Sequence, residues 1–144
     1  MKALLQRVTE AAVRIDGQVV GQIDHGLLVL LGVEQNDTQA QADWLVDKIL
    51  GLRIFPDDAK PMNRSVQDVG GQLLVVSQFT LAADTSRGKR PGFSTAAQPE
   101  LAEQLYRYFV QQAGQHIAVA TGQFGADMQV SLVNDGPVTF MLER

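Results

Sequence analysis

Ser77, Gln78 and Thr80 stand together in VVSQFTLAADT, where an apolar strand turns polar and opens into a long loop. Strand ends and the loops after them are common places for sites, because a rigid scaffold positions the residues there. Two hydroxyls at such a place suggest a nucleophile, but a serine or threonine nucleophile needs a base to take its proton. The chain has two histidines, His25 and His116, each isolated beside a strand start. Neither is spaced with a second ligand type, so a metal centre has no support. No G-x-S-x-G surrounds Ser77, which excludes the elbow of an α/β-hydrolase. An activated protein hydroxyl is therefore disfavoured. The plain alternative is a strand that becomes polar as it surfaces.

The loop that follows carries Arg87, Lys89 and Arg90 within SRGKRPGFS. On a chain with a formal net charge of -4, this local basic cluster is either a solvated loop tip or a phosphate holder acting through charge-assisted hydrogen bonds. The overall acidity excludes a protein that coats nucleic acid by bulk electrostatics, but not one that touches a nucleic-acid end locally. Near the C-terminus, NDGPVTF (Asn134 to Phe140) sets Gly136 and Pro137 between two strand-like runs. Proline donates no ladder hydrogen bond, so the segment is either an ordinary turn or a shaped piece of backbone used for recognition.

The elements that must position these residues follow from periodicity. At 144 residues the expectation is one domain, residues 1–144, with a core that needs no staples. There is no cysteine, hence no disulfide framework. MKALLQRVTE lacks a long apolar leader and no apolar run reaches a membrane span, so a cytoplasmic protein is expected. Residues 2–9, 11–15 and 18–23 read as strands, the last two flanking a hairpin turn at Asp16-Gly17. GLLVLLGV and QLLVVSQF are continuous apolar runs of strand length, each suited to burial on both faces. Thr38-Gln39-Ala40-Gln41 fits a capping box before a helix burying Ala42, Leu45, Val46, Ile49 and Leu50. Pro99 opens a second helix, in which Leu101, Leu105, Tyr108, Phe109 and Gln112 are read as following one face. Residues 116–120, 126–133 and 138–142 are read as three further strands. The fold class is mixed α/β: two packed sheets or a partly closed barrel, with both helices on one side.

Two separated motifs, SQFTLAADT and NDGPVTF, occur here in the order seen in the D-aminoacyl-tRNA deacylases, and the chain resembles that family closely. ALLQRV, GLLVLLGV, LGLRIFPD, GFS and FGADMQVSLVNDGPVT extend the resemblance over essentially the whole length. Gln98 ahead of Pro99 departs from the pattern, but only at a helix cap. The resemblance implies a homodimeric hydrolase of the ester joining a D-amino acid to tRNA, acting also on glycine attached to alanine tRNA. No cofactor and no metal are expected. Ser77, Gln78, Phe79 and Thr80 would line the reaction centre, with N–H groups near Phe79 and Thr80 as an oxyanion hole. A ribose hydroxyl of the tRNA would take part in the chemistry. Gly136-Pro137 would be a cis dipeptide entering the partner subunit's pocket and rejecting L-amino acids by steric clash. Arg7 would brace it and Met128 would line the pocket. Beside such a site, the basic cluster Arg87, Lys89 and Arg90 is expected to meet tRNA phosphates. Two competing readings remain: a binding module without turnover, and a serine esterase using Ser77 or Thr80.

Overall fold

Asp16 and Gly17 both take positive φ, 49° and 78°, the conformation that lets a two-residue turn match the twist of the strands it joins. They connect β1 (Lys2–Ile15) to β2 (Gln18–Ile23) in a computed structural model that describes residues 1–144. The remaining elements are β3 (Gly26–Gly32), α1 (Gln39–Gly51), β4 (Gln72–Ser77), a one-turn 3₁₀-helix (Phe79–Ala82), α2 (Pro99–Gly114), β5 (Val119–Thr121) and β6 (Gln129–Glu143).

All six strands belong to one hydrogen-bonded sheet, ordered β2-β1-β3-β4-β5, with β6 on the other side of β1. The sheet curls until β2 meets β5. Gly21 marks that closure, since a Cβ there would stand 2.1 Å from the Thr121 carbonyl oxygen. Of the two expected arrangements, the strands form the partly closed barrel. β3, β4 and β5 run parallel, so their C-terminal ends share one rim.

The two apolar runs are covered on both faces. Leu27, Val29 and Leu31 of β3, with Leu73 and Val75 of β4, meet Leu45 and Ile49 of α1 and Leu105 and Phe109 of α2. The alternate residues Leu28, Leu74 and Val76 fill the inside of the curl with Val8, Val13 and Ile23. A fully buried side chain of this size stabilises the fold by about 1.5–3 kcal/mol. An irregularity between Val8 and Glu10 shifts the alternation of β1, so that Ala11 and Val13 join Val8 on the inside. A bulge of this kind bends a strand and sharpens its twist. At the sheet's other end the Met1 ammonium is buried against Asp37 (2.7 Å), Glu34 (3.1 Å) and the Arg144 carbonyl (2.7 Å). No helix is long and apolar enough to cross a membrane.

The capping box at Thr38 forms, and α1 buries the five residues its spacing gives. Three expectations change. Residues 2–9 and 11–15 are one strand. Residues 126–133 and 138–142 are likewise not two strands: Gln129–Glu143 is continuous, because both halves pair with β1 rather than with each other. The final group is therefore two strands. The buried face of α2 is Ala102, Leu105, Tyr106, Phe109 and Ala113. Tyr106 takes the inward place expected for Tyr108, whose hydroxyl instead donates to Asp43 at 2.7 Å.

Candidate active site

Ser77 is the last residue of β4 and pairs with Leu31 of β3. The Gln78 N–H continues that ladder to the Leu31 carbonyl at 2.8 Å. The chain then breaks direction, with Gln78 at φ -144° and ψ 78°, and enters the 3₁₀-helix. Leu81 N–H reaches the Gln78 carbonyl at 3.2 Å. The N–H groups of Phe79 and Thr80 precede it and have no intrahelical carbonyl to meet. They lie at the rim formed by the parallel strands, a position where α/β sheets commonly bind ligands.

No base stands behind the hydroxyls. The Gln78 amide Nε2 donates to Thr80 Oγ1, a contact with no proton-abstracting power. His25 sits at the opposite end of β4, its carbonyl accepting from Gln72 N–H at 3.1 Å, five residues or about 16 Å along the strand from Ser77. Its ring stacks edge-on against Phe55 with centroids 5.2 Å apart. His116 lines a polar groove of about 280 Å³ between the helices, with Asp43 and Asp47. No group of three or more Asp, Glu or His side chains is placed to hold a metal ion. Tyr106 is buried beneath the rim, donating to the Val75 carbonyl at 2.9 Å. Burial pushes its hydroxyl up to about 12, with the Thr121 hydroxyl and the Arg107 charge opposing the rise.

Met128 belongs to the same rim. Its sulfur accepts from Gln123 N–H at 3.4 Å, and a Cβ on Gly122 would approach it to 2.5 Å. Gly122 N–H donates to the Val75 carbonyl at 3.4 Å, which places Met128 near the Ser77 end of the barrel.

Gly136-Pro137 lies elsewhere. Residues 135–138 bulge out of β6 opposite Arg7, between the pairs Gln6↔Thr139 and Val8↔Asn134. The peptide between Gly136 and Pro137 is cis, and both residues are exposed. Arg7, only 8% exposed, donates through Nε to the Asp135 carbonyl at 2.9 Å and through Nη1 to the Ile54 carbonyl at 2.7 Å. Its guanidinium lies 6.0 Å over the Phe55 ring. Asn134 closes the bulge: its Oδ1 accepts from Val138 N–H at 2.7 Å and its Nδ2 donates to Thr139 Oγ1 at 3.0 Å. Within one protomer the two motifs stay apart. Arg7 pairs with Leu27 and Ser77 with Leu31, about 13 Å further along β3, and β6 and β4 are three strand spacings, about 14 Å, apart across the sheet.

Arg87, Lys89 and Arg90 occupy the tip of a small hairpin held by the reciprocal Asp84–Gly92 bonds of 2.8 and 2.9 Å. All three are exposed. Asp84 accepts from Ser86 N–H at 2.9 Å, and the Ser86 hydroxyl and N–H together hold its carboxyl below the usual range.

Sequence reasoning missed Ile54 and Phe55, which seat Arg7, and Asn134 as the clasp of the bulge. It also missed Phe93, whose ring lies 5.0 Å from that of Phe79. Ile54 acts through its carbonyl and leaves no side-chain signal. Phe93 left one, an aromatic in a polar loop directly after the basic cluster.

Residues 4–143 match the family model described as D-Tyr-tRNA(Tyr) deacylase. A protein of Pseudomonas putida (strain W619) called D-aminoacyl-tRNA deacylase is 62% identical over 144 residues, covering 99% of both chains. One of the same name from Proteus mirabilis (strain HI4320) is 61% identical, again over 99% of each. Among solved structures, a c-Myc DNA Unwinding Element Binding Protein superposes with a TM-score of 0.95 at 42% identity, covering 100% of this chain and 99% of that one. A probable eukaryotic D-amino acid tRNA deacylase superposes with a TM-score of 0.82 at 17% identity, covering 98% and 97%. That last likeness concerns the fold alone.

Proposed function

The chain belongs to the D-Tyr-tRNA(Tyr) deacylase family, and we propose that it hydrolyses the ester of D-aminoacyl-tRNA to tRNA and the free D-amino acid. Residues 1–144 act as one domain, and the enzyme works as a homodimer. The N–H groups of Phe79 and Thr80 receive the charge that develops on the ester carbonyl oxygen, as preorganised donors do in acyl transfer. Ser77 and Gln78 shape the rim around them, and Met128 lines the pocket. The ribose hydroxyl next to the ester takes the part that no protein base is placed to take. No metal or cofactor is called for.

Gly136 and Pro137 act as the stereochemical filter in the partner subunit's pocket. Their carbonyls occupy the space an L side chain would need, while a D side chain points away. Glycine has no side chain to reject, so glycyl-tRNA(Ala) is also a substrate. Arg7 braces the filter, and Arg87, Lys89 and Arg90 hold phosphates near the tRNA end.

The observation that carries this reading is a division of labour within the protomer. One rim offers unpaired N–H groups without a base. A separate bulge, held out to solvent by Arg7, cannot reach that rim along its own sheet, so a second copy is the natural recipient.

The test is deacylation of tRNA charged with D-, L- or glycyl groups, with sedimentation of the protein in parallel. The D and glycyl esters are expected to be cleaved by a dimer, and the L ester to survive. Equal cleavage of D and L esters would remove the filter. Binding of D-aminoacyl-tRNA without release of amino acid would make the protein a non-catalytic module.

A further inference from the structure

Phe79 and Phe93 are large aromatic side chains left 57% and 40% exposed, and neither joins a core cluster. Their ring centroids are 5.0 Å apart with planes at 56°. Exposed aromatics on loose loops are common, but these are held by their backbone. Phe79 opens the 3₁₀-helix at the end of β4. The segment after Phe93 is tied to that helix by the Thr95 hydroxyl, which donates to the Ala82 carbonyl. It is also tied to the end of β3, where Gln35 N–H donates to the Thr95 carbonyl and Ala97 N–H to that of Val33, at 3.1 and 3.0 Å. The pair is therefore a fixed platform. It lies between the rim at Ser77–Thr80 and the hairpin that carries Arg87, Lys89 and Arg90, since Phe93 directly follows the Asp84–Gly92 closure.

We propose that Phe79 and Phe93 form a stacking platform for an unpaired base of the tRNA 3′ end, one or two nucleotides before the terminal adenosine. This rests on the deacylase reading above. The ester must sit at the rim, so the nucleotides leading to it pass over neighbouring surface. An aromatic face flanked by cations fits single-stranded nucleic acid, because stacking tolerates any base while cations track the phosphates. Charge selects this occupant: the exposed cations on the adjoining hairpin favour a polyanion over an apolar partner. A second copy of this chain seated on the rings is the competing occupant.

Phe93 is the position to test, because Phe79 also contributes the N–H assigned to the reaction. Phe93→Ala is expected to lower kcat/KM for D-aminoacyl-tRNA about tenfold, mostly through KM. It should affect D-aminoacyl-adenosine, which lacks the preceding nucleotides, far less. Phe93→Trp should restore tRNA to near the wild-type value, whereas Phe93→Leu should not. Binding of the unacylated oligoribonucleotide ACCA, followed by fluorescence anisotropy, should weaken in Phe93→Ala by a similar factor. Equal losses on tRNA and on D-aminoacyl-adenosine, rescue by Leu as good as by Trp, or a shift from dimer to monomer would each overturn the platform. If wild type binds ACCA through Phe93 but cleaves no D-aminoacyl-tRNA, the platform stands and the deacylase reading falls.

Discussion

The Nε of Arg7 donates to the carbonyl of Asp135 at 2.9 Å, fixing the backbone one residue ahead of Gly136. The same guanidinium reaches the Ile54 carbonyl at 2.7 Å from its Nη1, so the bulge in β6 is anchored through one side chain to the segment after α1. Arg7→Ala leaves the buried Ile54 carbonyl and the half-buried Asp135 carbonyl without a charged donor. The expected cost is about 2–4 kcal/mol, read from the urea midpoint. Arg7→Lys should recover only part of it, since an ammonium lacks the planar fork that spans both carbonyls. The ratio of D to L deacylation should fall in both variants. A ratio unchanged in Arg7→Ala would show that the bulge holds its shape without the brace.

Gly136 has φ +147°, a region that side chains other than glycine's rarely adopt. A Cβ there would stand 2.6 Å from Val138 Cγ2, 3.0 Å from Val138 N and 3.3 Å from Arg7 Nη2. Gly136→Ala must distort the bulge, at a strain of about 1–3 kcal/mol. D-Aminoacyl-tRNA cleavage should drop more than about tenfold, with far-UV dichroism and dimerisation retained because the bulge is exposed. Wild-type rates in this variant would return the segment to the role of an ordinary connection.

Local pattern makes some of these features legible and leaves others dark. α1 is readable to the residue because its apolar positions repeat without competition and a capping box marks its start. α2 is readable in extent but not in rotation: the small buried residues Ala102 and Ala113 carry little apolar weight, and Tyr106 and Tyr108 compete. β6 misleads because a Gly-Pro step argues locally for a turn, while its continuity comes from pairing with β1 across the molecule. For the site, the polar end of β4 and the basic cluster are visible as residue types. The partners of Arg7 are not, since main-chain carbonyls of remote residues have no sequence signature. The functional roles come from the resemblance, not from residue spacing.

Tyr106 predicts an alkaline weakening. Its folded-state value is about 12 against an ordinary 10.0, so the folded state keeps a proton that the unfolded state loses. Stability is fully present below pH 10 and falls as pH rises from 10 toward 12, by up to about 3 kcal/mol. Tyr106→Phe should lose that component while losing about 1 kcal/mol at neutral pH with the bond to Val75. Urea unfolding at pH 8 and pH 11 measures both, and an equal alkaline loss in wild type and variant would assign the effect to other groups.

Arg87, Lys89 and Arg90 are exposed at a hairpin tip, and none takes part in a salt bridge. Free cations of this kind are available to phosphates. In the triple alanine variant KM for D-aminoacyl-tRNA should rise, and the log–log salt slope should flatten by roughly 0.7–0.9 for each phosphate no longer neutralised. Folding should be unaffected, because the hairpin is closed by Asp84 and Gly92 backbone bonds. A salt slope equal to that of wild type would leave the tip merely solvated.

The absence of a base beside Ser77 and Thr80 leads to the most discriminating expectation. Thr80 Oγ1 accepts from the Gln78 amide, and both histidines lie away from the rim. If N–H groups polarise the ester and the tRNA's own ribose hydroxyl takes part, neither protein hydroxyl is indispensable. Ser77→Ala and Thr80→Val, made singly, should each keep kcat within about tenfold of wild type, a change in barrier of about 1.4 kcal/mol or less. A side-chain nucleophile would behave differently, its removal costing several orders of magnitude. The complementary change is in the substrate. tRNA ending in 2′-deoxyadenosine should bind normally but react at least about a hundredfold more slowly, the range lost with an acid–base participant. Full activity on the deoxy substrate, together with collapse of either alanine or valine variant in a folded dimer, would move the chemistry from the tRNA back to the protein.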